Sequence, residues 1–264
     1  MATLDAEAIN SNFPFSLLSD RRQKRKQGKK GSLIQSHRSC FFHQIMERIQ
    51  KYISHLQGVL EQLLLADVRQ SIDLVVEAYQ ADRQIFVIGN GGSASTASHL
   101  ACDLGKGTSL PGKRRFRVIS LTDNVASMTA WANDACYEDV FVQQLKNLVN
   151  PGDLVIGISA SGNSENVVRA IRYAKNIGCK IVSWTGFGGG KLAQTTEVSV
   201  VVDSHVYGPV EDVHLILNHV LHAWIRDEFT DEFAGQTSDC TTTNADSLPT
   251  VRDSDRETHK PGKG

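Results

Sequence analysis

The chain has 264 residues, of which 41% are hydrophobic, and its formal net charge is −1 at pH 7. This length and apolar content suffice for one sizeable α/β domain with tails, and a net charge close to zero excludes a protein whose overall charge attracts nucleic acid. No apolar run reaches about 18 residues, no stretch has a signal-peptide pattern, and the five cysteines are scattered without a CxxC pair. We therefore expect free thiols in a reducing compartment and a cytoplasmic protein without a membrane-spanning segment.

The two ends of the chain lack a pattern that could form a core. Residues 1–42 are polar and basic and residues 230–264 are rich in Ser, Thr and Asp, so we predict disordered tails around one domain, residues 43–229. The stretch RRQKRKQGKK (21–30) has seven basic residues and no acidic ones. A solvated tail is its simpler interpretation, and a contact with nucleic acid or an acidic membrane is the alternative. In a further interpretation the natural chain starts at Met46, directly before a helical pattern.

Between the tails, helical patterns alternate with short apolar strands. Apolar residues at helical spacing predict two helices over 45–79, and a final helix is predicted over 209–229, with proline in its first turn. Strands are predicted at 85–89, 116–121, 153–159, 180–185 and 198–203, with helices after the first three of them. Such alternation is typical of a parallel sheet whose ligands bind beyond the carboxyl ends of the strands. The sequence therefore predicts an α/β fold with a five-stranded parallel sheet flanked by helices on both faces.

Two of the predicted strands end in turns rich in glycine and serine. VIGNGGSAS (87–95) contains the end of the first strand and GISASGNSENV (157–167) the end of the third, and each leads into a helix. Backbone N–H groups and hydroxyls at a helix N-terminus suit a phosphate or another oxyanion. Neither turn matches GxGxxG or GxxxxGK[ST], so no nucleotide is indicated. Serine N-capping is the simpler interpretation of one such turn, whereas two at neighbouring strand ends favour a small anionic ligand.

Five separated motifs resemble those of the SIS (sugar isomerase) family, in its phosphoheptose isomerase branch. They are GNGGSAS with a His and an Asp after it, LTDNVAS, ISASGNSENVVRAI, TGFGGGKLA and VEDVHLILNHVL, within about residues 46–229. The resemblance implies a single SIS domain that binds a phosphorylated sugar. It also implies a homotetramer, with amino-terminal helices for oligomerisation and active sites at subunit interfaces.

The resemblance further implies which residues contact the sugar phosphate. The serine-rich turn would hold the phosphate, and the turn after the first strand would contact the sugar. The implied substrate-binding residues are Asn90, Gly91, Gly92, Ser93, Thr122, Asp123, Ser159, Ala160, Ser161, Ser164 and Glu211.

The same resemblance implies a site for a divalent metal, with zinc expected. Its ligands would be His99, Asp103, Glu211 and His219, of which Asp103 and His219 would also serve as the catalytic acid/base pair. A His and an Asp four residues apart share a helix face, so joint coordination is possible. A surface or capping contact is the simpler interpretation of that pair taken alone. Two His and two carboxylates also suit manganese, iron or nickel.

The final helix leaves a choice of histidine. Glu211 and His219 are eight residues apart, about 80° around an ideal helix. Spacing alone favours His222 as the partner of Glu211, with His214 as a further candidate, and only the resemblance selects His219.

Two site positions depart from the phosphoheptose isomerases. Those enzymes carry glutamate where this chain has Asp103 and glutamine where it has Glu211. The shorter side chain would set the Asp103 carboxylate back by roughly 1.5 Å, and a charge at Glu211 would strengthen metal binding while repelling a nearby phosphate. Either the two acids have exchanged roles or the site serves a different phosphosugar.

The resemblance predicts an aldose–ketose isomerase that converts sedoheptulose 7-phosphate to D-glycero-D-manno-heptose 7-phosphate through a metal-assisted enediol. Another isomerase or lyase of a phosphorylated sugar is the nearest alternative. A non-catalytic SIS adaptor that binds a replication-initiator protein, or a phosphosugar sensor, is the more distant one, because fold does not dictate function. This chain keeps a polar residue at every expected site position, which favours the enzyme. We expect nucleic acid to be bound, if at all, only by the basic tail.

Overall fold

The computed structural model describes the backbone of residues 27–237 and the side chains of residues 41–230. The chain forms two units, Met1–Gly58 and Val59–Gly264. In its described part the first unit is helical and consists of the residues of α1 (Gln27–Glu61) up to Gly58. The apolar side chains Phe42, Ile45, Ile49 and Ile53 recur along it at helical spacing and are exposed. They therefore form an apolar stripe on one face of α1.

The second unit contains a five-stranded parallel sheet with helices around it, as predicted. Its strands are β1 (Gln84–Gly89), β2 (Arg117–Ser120), β3 (Leu154–Ser159), β4 (Lys180–Thr185) and β5 (Val198–Val201). Its helices after α1 are α2 (Leu65–Gln80), α3 (Gly92–Cys102), α4 (Val125–Asp134), α5 (Val140–Leu148), α6 (Glu165–Asn176), α7 (Gly190–Thr195) and α8 (Tyr207–Thr237). A π-helical segment (Asp103–Gly107) continues α3, and a 3-10 turn (Tyr137–Asp139) precedes α5. The sequence pattern had not indicated α5, α7 or the π-helical segment.

The strand order is β2-β1-β3-β4-β5, with every neighbouring pair parallel. The chain moves outward from β1 to β2 and then crosses to β3 on the other side, so the switch in direction lies between β1 and β3. These two strands are paired to their ends, with Gly89 opposite Ile158. A crevice beyond the carboxyl ends of the strands at such a switch is where open α/β sheets bind ligands.

The core lies on both faces of the three central strands. Residues 85–88, 154–158 and 181–185 are all buried, which is the near-continuous apolar pattern of a parallel sheet covered on both sides. Gly157 in β3 permits a close approach, because a Cβ there would lie 3.1 Å from Cδ1 of Ile171 on α6. Each buried Val, Leu or Ile side chain contributes about 1.5–3 kcal/mol relative to exposure. This packing holds the strand ends in fixed positions.

The described residues extend somewhat beyond the predicted domain. Helix α1 begins at Gln27, inside the stretch 1–42 predicted as a tail, and α8 runs to Thr237, beyond the predicted end at 229. Adding residues to an existing helix costs less than starting one, which explains why both helices pass the end of their apolar pattern. Residues 1–26, with most of the basic run 21–30, and residues 238–264 lie outside the described residues. Within the described part, none of the helices has the length and apolar character needed to cross a membrane.

Candidate active site

The turn after β1 is hydrogen-bonded to the first turn of α6, which follows β3. Gly91 has φ +54°, a backbone conformation that favours glycine. The side-chain amides of Asn90 and Asn166 exchange two hydrogen bonds of 2.8 and 2.9 Å, and the Tyr137 hydroxyl donates to Asn90 Oδ1 at 3.0 Å. Asn166 lies in the first turn of α6, directly after the serine-rich turn. The two predicted turns are therefore neighbours, joined by the hydrogen bonds of Asn90. Ser93 is buried in the first turn of α3.

The serine-rich turn after β3 presents hydroxyls at the N-terminus of α6. Ser159 Oγ and Ser164 Oγ lie 3.1 Å apart, and Ser161 Oγ accepts the Asn163 N–H at 3.2 Å. Ser164 is the N-cap residue, but its side chain makes no capping hydrogen bond. Serine capping, the simpler interpretation of this turn, is thus not what the structure has. Ala160 is buried, and its carbonyl accepts the Gly186 N–H at 2.8 Å, which fixes the turn on the sheet.

An ion-pair network borders the serine-rich turn. Glu165, the residue after Ser164, lies 3.3 Å from Arg169 Nε and 3.6 Å from Lys191 Nζ. The Arg169 hydrogen bond lowers the pKa of the Glu165 carboxyl and outweighs the opposing effect of burial, and the Lys191 charge adds a smaller lowering. The Lys191 N–H also donates to Asn163 Oδ1 at 3.1 Å. Lys191 is therefore held beside the turn.

Thr122 and Asp123 follow β2 and face α3. The hydroxyl of Ser98 on α3 lies 3.1 Å from Thr122 Oγ1 and also donates to Asp123 Oδ1. The Asp123 and Ser98 side chains line a cavity of about 580 Å³, which Cys102 also borders. Ser98 was missed by sequence reasoning, although it lies one residue before His99.

Three of the four predicted metal ligands lie together. His99 on α3, Asp103 at the start of the π-helical segment and His219 on α8 each offer one ligand atom, and these atoms all lie within 4.8 Å of one another. His99 Nε2 is 3.3 Å from Asp103 Oδ2, and the two imidazole rings meet edge to face with centroids 5.0 Å apart. Both histidines are exposed and Asp103 is half-buried. We refer to these three residues as the His–Asp–His triad.

The triad fits a divalent metal by its donor chemistry. Two imidazoles and one carboxylate are ligands that zinc accepts, and catalytic zinc sites keep a fourth position for water or substrate beside three protein ligands. The same donors suit other divalent transition metals. The grouping also separates the candidate histidines of α8, because His219 joins the triad whereas His214 is fully buried.

Glu211 lies at the turn after β1. A Cβ at Gly92, the first residue of α3, would collide with the Glu211 carboxylate, so that carboxylate rests on the glycine backbone. The N-terminus of a helix favours a negative charge there. Glu211 is not among the three grouped residues, and its assignment as a fourth ligand stays a prediction.

The buried face of α8 carries polar groups behind the triad. Asn218 Nδ2 donates to Asp103 Oδ2 at 3.0 Å. His214, Asn218 and His222 are spaced one turn apart, and each has a buried side-chain atom that finds no hydrogen-bond partner among the described residues. A buried polar atom without a hydrogen-bond partner lowers the free energy of unfolding by about 1–3 kcal/mol. Burial lowers the pKa of His214 to about 4, so this imidazole is neutral at pH 7.

The site can be compared with known proteins. A family model described as SIS domain matches residues 50–186. This chain belongs to the SIS domain family. It is 36% identical to a phosphoheptose isomerase of Helicobacter pylori over 180 residues, which cover 67% of this chain and 93% of the relative. It is 33% identical to a phosphoheptose isomerase of Aquifex aeolicus over 180 residues, 67% of this chain and 94% of that one.

A solved structure extends this likeness to the fold. The phosphoheptose isomerase of Neisseria gonorrhoeae matches with a TM-score of 0.65 and 28% identity, over 69% of this chain and 99% of that chain. The predicted resemblance to the phosphoheptose isomerase branch of the SIS family is thereby confirmed, and so is the predicted sheet.

Replacing His214 by leucine is expected to weaken the dependence of stability on pH. In the unfolded chain this histidine takes up a proton near pH 6.5, but in the folded chain only near pH 4. As the pH falls from 6.5 towards 4, proton uptake therefore favours the unfolded state. The free energy of unfolding should fall more steeply in the wild type than in His214→Leu, by up to about 1.4 kcal/mol per pH unit.

Urea unfolding at pH 7, 6 and 5 measures this difference, with the exposed His205→Leu as a matched control. Equal slopes for the wild type and His214→Leu would contradict the neutral buried imidazole.

Proposed function

We propose that this SIS protein is a sugar-phosphate isomerase that converts sedoheptulose 7-phosphate to D-glycero-D-manno-heptose 7-phosphate. The observation that carries the proposal is the His–Asp–His triad on α3 and α8, together with the serine-rich turn at the end of β3. The triad suits proton transfer and metal binding, and the serine-rich turn suits a phosphate. The likeness to phosphoheptose isomerases supports the choice of a seven-carbon sugar.

The serine-rich turn would anchor the substrate by its phosphate. Ser159, Ser161 and Ser164 offer hydroxyls, and the first turn of α6 offers backbone N–H groups without a serine cap. Helix N-termini of this kind bind phosphate because their N–H groups and the helix dipole both favour negative charge. Asn90 and the glycine backbone of the neighbouring turn would contact the sugar chain. The anchored phosphate then limits how far C1 and C2 can move.

The triad would carry out the proton transfer. His99, Asp103 and His219 would hold the metal, which when bound supplies Lewis-acid polarisation of the sugar carbonyl. Asp103 or His219 removes the proton from C1 of the ketose, and an enediolate forms as the O1–H proton moves to O2. The conjugate acid returns a proton to C2, which gives the aldose without net gain or loss of atoms. The Asp103 carboxylate is half-buried, and its Oδ2 lies 3.3 Å from His99 Nε2.

Glu211 would contact the sugar. Its carboxylate rests on Gly92 at the turn that would contact the sugar. There it can accept a hydrogen bond from a sugar hydroxyl. In that position it remains a candidate for a fourth metal ligand or for the exchange of roles with Asp103 considered above.

The proposed reaction can be followed by NMR in deuterated water. We expect the metal-replete protein to exchange the C1 and C2 protons of sedoheptulose 7-phosphate and to form the aldose. Asp103→Ala and His219→Ala should each lower kcat more than tenfold, because each removes a triad side chain. Asp73→Ala, which breaks only an exposed pair with Arg69, serves as the control.

Three outcomes decide between the functions. Exchange with aldose formation supports the proposal. Exchange without product means that the proton-transfer groups work on another phosphosugar. Binding without exchange would exclude the isomerase and favour the adaptor or sensor. Aldose formation with an unchanged kcat in both triad variants would instead contradict the assignment of Asp103 and His219 as the proton-transfer groups.

Substituting Ser164 by alanine is expected to raise KM. A hydrogen bond to a charged group is worth about 1.5–3 kcal/mol, so KM should rise by about ten- to a hundredfold while kcat changes little. Ser199→Ala, which removes the 2.9 Å hydrogen bond that Ser199 Oγ accepts from Ser183 Oγ, is the control. A KM within twofold of the wild type would contradict a phosphate site at this turn.

We also propose that the protein is a cytoplasmic homotetramer that assembles through the apolar stripe of α1. Phe42, Ile45, Ile49 and Ile53 are exposed on one face of this helix, and exposed apolar surface of this kind is typical of interfaces. Free thiols at Cys102, Cys136 and Cys179 fit a reducing compartment. Light scattering should give four times the chain mass for the wild type and a lower mass for Ile45→Asp/Ile49→Asp. An unchanged mass in this variant would contradict the assigned interface.

A further inference from the structure

Asp103 receives two contacts on the same carboxylate oxygen. Asn218 Nδ2 donates to Oδ2 at 3.0 Å, and His99 Nε2 lies 3.3 Å from that atom. Oδ1 makes no hydrogen bond to any residue in the described part of the chain. We propose that Asn218 is a positioning residue that sets the orientation of the Asp103 carboxylate in the triad. This inference rests on the function proposed above.

The burial of Asn218 calls for such a role. Its side chain is fully buried among residues of α8 that are otherwise mostly apolar, including Leu217 and Leu221. Its Oδ1 has no partner among the described residues. A buried amide with one unsatisfied half lowers stability, and an apolar residue of similar size would avoid this cost. The hydrogen bond to Asp103 is therefore what an amide at this position adds over an apolar side chain.

The backbone at Asp103 makes this contact consequential. Asp103 follows the last residue of α3 and still has α-helical dihedral angles, φ −66° and ψ −46°, so the backbone places its side chain beside His99 but does not set the orientation of the carboxylate. Rotation of a carboxylate about χ2 meets only a broad, shallow preference. The Asn218 N–H selects one orientation and leaves Oδ1 free for the ligand or for the proton in transfer.

Helix α8 also couples this orientation to the third triad residue. Asn218 directly precedes His219, so the donor to Asp103 and the second imidazole are presented by the same turn of α8. This contact between residues 115 positions apart is what holds Asp103 in place relative to His219. Partners of metal ligands act in this way, and their loss typically lowers metal affinity or activity ten- to a hundredfold.

The test compares Asn218→Leu, which keeps the volume, with Asn218→Ala, which does not, in the full-length protein. Co²⁺ affinity is measured by visible absorption, thermal unfolding by circular dichroism, and kcat and KM with sedoheptulose 7-phosphate. We expect both variants to bind Co²⁺ about ten- to a hundredfold more weakly. We expect kcat to fall by a similar factor, with KM within threefold, because displacement of a reacting group by about 1 Å costs roughly a hundredfold in rate. Asn218→Leu should unfold at or above the wild-type temperature.

Two reference variants separate positioning from general stability. Ser71→Ala removes the buried 3.1 Å hydrogen bond from Trp184 Nε1, so it should lower stability and leave Co²⁺ affinity and kcat unchanged. Asp103→Ala gives the Co²⁺ affinity without the carboxylate. If the Asn218 variants bind Co²⁺ and turn over like the wild type while Asp103→Ala does not, Asn218 has no positioning role and the proposed function stands. A wild type that neither binds Co²⁺ nor forms the aldose would overturn both.

Discussion

The pairing of β1 with β3 in the parallel sheet is the constraint on which the site depends. These strands are distant in sequence, yet Gly89 lies opposite Ile158, and both strands end at the same edge. Their turns therefore meet, and the paired amides of Asn90 and Asn166 join them with two hydrogen bonds. The buried apolar side chains on both faces of β1 and β3 keep this edge rigid. The turn proposed to bind the phosphate and the turn proposed to contact the sugar are thus held by the same pair of strands.

Helix α8 completes the site at a cost in stability. Its buried face carries His214, Asn218 and His222 among apolar residues, each with a polar atom that lacks a hydrogen-bond partner within the described residues. An apolar face would pack without these unsatisfied groups. Asn218 contacts Asp103, and its neighbour His219 belongs to the triad, so part of this polarity serves the site. Local departures from the best packing are expected where a protein holds functional groups.

The arrangement favours an enzyme over a non-catalytic member of the family. An adaptor would need no convergence of imidazole and carboxylate groups, yet three elements of the chain bring His99, Asp103 and His219 within 4.8 Å of one another. The two positions that differ from the phosphoheptose isomerases, Asp103 and Glu211, have different surroundings in the structure. The shorter Asp103 side chain is held by Asn218, and Glu211 rests on Gly92 beside the helix N-terminus. The two acids thus occupy distinct surroundings, which is how carboxylates come to have different roles.

The sequence by itself determined the sheet and the two turns, because the spacing of apolar residues and the glycine and serine residues at strand ends are local signals. It did not indicate α5, which has only nine residues, or the π-helical segment at Asp103, whose local pattern does not differ from that of an ordinary helix. The resemblance to SIS proteins selected His219, whereas helical spacing alone favoured His222. Only the tertiary structure decided which polar residues support the site: Ser98 meets Thr122, Tyr137 meets Asn90, and Asn218 meets Asp103. Such contacts join elements far apart in the chain, and their partners are set by how the helices pack on the sheet.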